Sequence, residues 1–133
     1  MRESKDAFHL AIPAGDLDEA YAFYVTGLGC KLARRYDDRI TLDFFGDQVV
    51  CHLTEGEPAE PESLYPRHFG VTFRDAADFD ALHACAVIRK IPFYSDVSTR
   101  FEALVEEHRT FVLLDPAGNL LEFKHYNDPR MMY

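Results

Sequence analysis

Three short apolar segments each carry one side chain out of keeping with its surroundings: His9 in "AFHLAIP", His68 in "RHFGVTF" and Glu122 in "NLLEFKHY". A carboxylate buried in a strand costs several kcal/mol unless it is paired, hydrogen-bonded or bound to a metal. Two imidazoles and a carboxylate meeting in one cleft would make a facial triad, a metal site that keeps coordination positions open for substrate. The competing reading of each residue is structural. A lone strand histidine is commonly a hydrogen-bonded residue, and Glu122 has Lys124 and Arg109 as alternative partners. His52 in "VVCHL" lies on the same side of its strand and reads either as a fourth ligand or as an acid/base group.

The elements that must position these groups repeat along the chain. "AFHLAIP" alternates as a half-buried strand does. A helix follows, capped by Asp16 and stopped at Gly29, then strands near 31–36, 39–45 and 48–53, the last two joined by a turn at Gly46–Asp47. After a Pro- and Glu-rich loop over Thr54–Glu62 the order recurs: a strand at 67–73, a helix from Asp75 to about Ile88, a short strand in "IPFYS", and a hairpin of "RTFVLLD" and "NLLEFKHY" across "PAG". Laying His9 on His68 also lays Ile12 on Val71 and Asp16 on Asp75. The expected organisation is a single domain: a first βαβββ module over 7–54, a linker over 55–66, a second module over 67–126 and a tail over 127–133. The segment Asp96–His108 is an insertion in the second half, and "FEALVEE" within it predicts a short helix.

One helix per half cannot cover both faces of a four-stranded sheet, which predicts helices outside and the remaining faces curved around a shared cleft. The expected fold class is α+β. By parity His9, Val50, His52, His68, Gly70, Thr72, Leu120, Glu122, Lys124 and Tyr126 face that cleft, while His108 and His125 lie off it. His83 falls in the second helix. Aligning Gly46 with Gly118 sets Val50, not His52, opposite Glu122 in the repeat.

The chain has 133 residues, 47% of them hydrophobic, with 11 Phe and 7 Tyr, enough for one compact core. A formal net charge of −9 and the lack of clustered Lys and Arg exclude a nucleic-acid partner. No run approaches membrane-spanning length and no signal-like segment opens the chain, so no membrane partner is expected. Cys30, Cys51 and Cys85 are odd in number and widely spaced, which predicts neither a disulfide framework nor a thiolate zinc site but a reducing, cytoplasmic setting. Phosphate-loop, GxSxG, HExxH and EF-hand patterns are absent.

The segments "FHLAIP", "DFFGDQVVCHL", "RHFGV", "TRF" and "FVLLDPAGNLLEFK" resemble the vicinal oxygen chelate superfamily of glyoxalases, extradiol dioxygenases and fosfomycin- and bleomycin-resistance proteins. More narrowly they resemble its small single-domain extradiol-type group. The resemblance implies paired βαβββ modules around a metal cleft, with His9, His68 and Glu122 as metal ligands and a homodimer whose cleft lies within one chain or across two. It implies a small-molecule substrate and a divalent metal, with Fe(II) favoured over Zn(II), Ni(II) or Mn(II). For a ring-opening dioxygenase, three protein ligands leave room for a catechol-like substrate and dioxygen. His52 would then move a proton, Tyr126 donate a hydrogen bond, Arg100 hold a substrate carboxylate and Phe44 contact a planar ring. A glyoxalase-type lyase would instead take His52 as fourth ligand and Glu122 as base. A non-catalytic binder of planar molecules is the third reading.

Overall fold

The computed structural model describes residues 1–58, 60, 61 and 63–133. Ala59 and Glu62, in the expected acidic loop, lie outside the described residues. Strand β1 (His9–Gly15) leads through Asp16 into helix α1 (Leu17–Tyr21), where the Asp16 carboxylate accepts from the backbone N–H groups of Asp18 and Glu19 at 2.8 and 3.0 Å. The helix continues as a π-helical stretch over Ala22–Gly27. Strands β2 (Lys31–Arg35), β3 (Arg39–Phe44) and β4 (Asp47–Leu53) complete the first half. In the second half come β5 (Phe69–Phe73), α2 (Ala76–Ile88) capped by Asp75, β6 (Phe93–Arg100), β7 (His108–Leu114) and β8 (Leu120–Tyr126), with a 3₁₀ turn at Pro129–Met132.

The strands form two four-stranded sheets of matching order, β1-β4-β3-β2 and β5-β8-β7-β6. In each, the first strand lies parallel to the last and the other pairings are antiparallel. The repeat holds at the level of register. Ala11 pairs with Val50 as Gly70 pairs with Glu122, and Ile12 with Cys51 as Val71 with Phe123. Gly70 is where the backbones come closest: a Cβ there would lie 1.8 Å from the Glu122 carbonyl oxygen. This is the paired βαβββ architecture expected from the sequence.

Each helix lies on the apolar face of its own sheet, α1 against β1, β3 and β4 and α2 against β5 and β8, with its other side exposed as expected. Ile12, Tyr24, Ile40, Phe44, Phe79, Phe111, Leu121 and Phe123, drawn from both sheets and both helices, share one core. Phe44 meets Phe69 at 5.7 Å and Phe45 meets Phe123 at 6.0 Å between ring centroids, and Arg89 at the end of α2 donates to the carbonyls of Thr26 and Gly27. The faces opposite this core carry His9 and His52 in the first sheet and Glu122 in the second. The structure departs from the expectation in the insertion. β6 extends to Arg100, and "FEALVEE" forms turns, not a helix, because Phe101 and Ala103 hold positive φ of 54° and 65°.

A buried carboxylate locks the halves together. Asp115 accepts from the Tyr24 hydroxyl at 2.7 Å and the Asn119 side-chain amide at 2.7 Å, while Asn119 also donates to the Pro13 carbonyl at 2.7 Å. Burial raises the Asp115 carboxyl above its ordinary value, against these hydrogen bonds, so the fold holds that proton more firmly than the unfolded chain does. Its contribution to stability accordingly declines as pH rises from the ordinary carboxylate range through the raised value. Tyr24→Phe should cost about 1–3 kcal/mol in urea unfolding by leaving a buried acceptor short of a donor, and Asp115→Asn should remove this part of the pH dependence. Unchanged stability in the first, or an unchanged pH slope in the second, would contradict the lock.

Candidate functional site

Glu122 is buried at the middle of β8, on the face opposite Leu121 and Phe123. One carboxylate oxygen, Oε1, accepts from the Thr110 hydroxyl at 2.8 Å. The other, Oε2, lies 3.1 Å from His68 Nε2 and 3.0 Å from Lys124 Nζ, yet neither contact is aligned as a hydrogen bond. The competing partner Lys124 is therefore at hand, whereas Arg109 is committed to Asp80 at 2.8 Å. Oε2 is the one fully buried side-chain oxygen or nitrogen without a hydrogen-bond partner among the described residues.

The tautomer of His68 sharpens the point. Its Nδ1 lies 2.9 Å from the Leu64 carbonyl and must donate to it, so Nε2 of the neutral ring presents a lone pair to Glu122 Oε2. Acceptor faces acceptor, an arrangement relieved by a proton or a cation between them. His9 is held in the same way: Nδ1 contacts the Gln48 side-chain oxygen at 2.5 Å and leaves Nε2 free on an exposed residue. A ring nitrogen anchored to a carbonyl oxygen with the other nitrogen presented outward is the usual support of a metal-bound histidine. The donor set of His68 and Glu122 thus fits a divalent metal.

Within one chain the three expected ligands are not brought together. His68 and Glu122 meet, His9 sits beside Gln48, and no group of three His, Cys, Asp or Glu side chains among the described residues is placed to share a metal. His52 is exposed near the end of β4 and pairs with Pro13, on the same face as His9. It is four residues from Gln48, His9's partner, or about 13 Å along the strand. Val50, not His52, occupies the position that Glu122 holds in the second half. A cleft of about 530 Å³ between β1 and the start of β5 has His68 on its wall together with Pro13, Pro66 and Asn119.

Tyr126 closes β8 with its ring 4.5 Å from that of His108. Arg100 is the last residue of β6 and stands opposite His108. Phe44 is 4% exposed and packed among Tyr24, Phe45 and Phe69, and with Phe8, Leu10 and Val71 it lines a pocket of about 310 Å³. His108 corrects the parity reading. It opens β7 directly opposite Tyr126 and so shares the Glu122 face. Pairing outward from the "PAG" turn, Leu114 with Leu120, would have carried it there from sequence, and the same count would have found Thr110. His125 lies off this face as expected, donating to the Phe73 carbonyl at 3.2 Å. Burial pushes the Cys30 and Cys51 thiols up to about 12, which removes them as nucleophiles.

Residues 7–123 match the Glyoxalase/Bleomycin resistance protein/Dioxygenase superfamily, and the chain belongs to it. A crystal structure of a glyoxalase/bleomycin resistance protein/dioxygenase from Alicyclobacillus acidocaldarius is 68% identical, with a TM-score of 0.94 and full coverage of both chains. Lactoylglutathione lyase from Agrobacterium tumefaciens shares the fold at 20% identity and a TM-score of 0.67, over 93% of this chain and 96% of that one. So does the fosfomycin resistance protein FosX from Listeria monocytogenes, at 11% identity and a TM-score of 0.71, over 96% and 98%. No curated protein matches the chain. No helix among the described residues is long and apolar enough to cross a membrane.

Removing the aligned donor should expose the strain on Glu122. Thr110→Val should cost about 1–3 kcal/mol in denaturant unfolding, and a double-mutant cycle with Glu122→Gln should show non-additivity. Additive effects would mean that the hydroxyl does not support the carboxylate.

Proposed function

We propose that the protein is a metal-dependent enzyme of the vicinal oxygen chelate type, an extradiol-type dioxygenase acting on a small catechol-like substrate. The observation that carries this reading is the buried, unpartnered Oε2 of Glu122 facing the lone pair of His68 Nε2. His68 and Glu122 of one chain, with His9 of a second copy, would hold the metal, so that the homodimer builds each site from two outward faces. Fe(II) is favoured over Zn(II), Ni(II) or Mn(II), in a reducing cytoplasm. Iron held by these three side chains would supply oxygen activation and free positions for two adjacent substrate oxygens.

The chain's own residues would do the rest. Lys124 offsets the Glu122 charge. His52, exposed and without a hydrogen-bond partner among the described residues, stands on the His9 face and would take up the catechol proton through intervening solvent. The Tyr126 hydroxyl donates to the substrate's distal part. The glyoxalase-type lyase reading draws on the exposed His52 sharing a face with His9, but Val50 at the counterpart of Glu122 favours three protein ligands over four.

Anaerobically purified protein should retain a divalent metal and consume oxygen with catechols. Stoichiometric zinc or nickel without oxygen uptake, together with turnover of a glutathione hemithioacetal, would reject the dioxygenase. His68→Ala and His9→Ala should each abolish metal retention. Refolding the two variants together should restore about a quarter of the wild-type metal, since half the dimers are mixed and each mixed dimer keeps one intact site. No restoration would place His9 and His68 in one chain's site, or outside any site.

A further inference from the structure

We propose that Lys124 is the cation a metal must displace from Glu122, and that this lysine sets how tightly the site binds metal. The inference rests on the reading above that Glu122 Oε2 and His68 Nε2 take a divalent metal. Two nitrogens converge on that one oxygen: His68 Nε2 at 3.1 Å and Lys124 Nζ at 3.0 Å. The other carboxylate oxygen, Oε1, is held by the Thr110 hydroxyl at 2.8 Å, whereas Oε2 has no hydrogen-bond partner among the described residues. Oε2 is therefore the oxygen open to a cation, and the ammonium already stands beside it. A metal taking the same oxygen would meet a like charge where Glu122 is buried and water screens little.

The lysine has a way out. Its side chain is 27% exposed and makes no other salt bridge among the described residues, so its flexible stem can carry the ammonium into water, where it is strongly hydrated. Left beside Oε2, it offsets the cost of a buried carboxylate. Lys124 thus acts in two opposite directions: it stabilises the fold before metal binds, and it opposes the metal. The repeat supports the pairing of the two roles. In the first half, Ala11 pairs with Val50 and Pro13 with His52; in the second, Gly70 pairs with Glu122 and Thr72 with Lys124. Where Val50 stands in place of the carboxylate, the lysine is gone too.

The test is calorimetric binding of cobalt(II) to the metal-stripped protein, beside urea unfolding of the same preparation. Lys124→Met should bind cobalt(II) about tenfold more tightly than wild type, the lower end of what neighbours of metal ligands contribute, yet unfold at a lower urea concentration. Lys124→Gln, uncharged but polar, should follow it in affinity. Lys124→Arg should bind cobalt(II) more weakly than wild type and unfold no earlier, because a guanidinium grips a carboxylate with two donors and releases it less readily. Equal or weaker binding in both the Met and Gln variants makes the lysine structural only and overturns the inference. An arginine variant that binds as wild type does leaves repulsion without displacement, and overturns it as well. His68→Ala tells the two failures apart. Cobalt(II) binding that survives His68→Ala removes the metal reading and this inference with it, whereas binding that is lost there but indifferent to Lys124 removes this inference alone.

Discussion

A carboxylate buried on a sheet face, with one oxygen hydrogen-bonded and the other beside His68 Nε2 without an aligned partner, is the constraint from which the rest follows. Thr110 supports Oε1, but Oε2 has only the misaligned Lys124 and the acceptor side of His68. The Leu64 carbonyl fixes the tautomer of His68 and so keeps its free nitrogen turned toward Glu122. The anchor at Gln48 does the same for His9 in the first half.

The second determinant is the single core. Helix α1 covers the apolar face of the first sheet and α2 that of the second, and Asp115 ties Tyr24 to Asn119 where the halves meet. In the proposed assembly each chain would contribute two half-sites, one with His9 and one with His68 and Glu122. Stability and site assembly are therefore separable: the core residues set the first, and the outward residues would set the second.

Most of the architecture was legible in the sequence because the repeat carries its own checks. His9 and His68, Ile12 and Val71, Asp16 and Asp75 fall at equal spacing, and the observed register reproduces that alignment through Ala11–Val50 and Gly70–Glu122. Side-chain direction along a strand follows from parity, so the outward placement of Glu122 was readable. The insertion failed for a local reason: "FEALVEE" has helical composition, while Phe101 and Ala103 take positive φ, which composition does not reveal. His108 was missed because it was counted with that insertion and not outward from the turn.

The most direct test of the central claim is anomalous diffraction at the absorption edge of the bound metal, on crystals of the metal-loaded protein. The account predicts one peak per chain, contacted by His68 Nε2 and Glu122 Oε2 of one copy and His9 Nε2 of another. A peak without Glu122, or no peak beside an unmoved His68 and Glu122 after saturation with divalent metal, would contradict it.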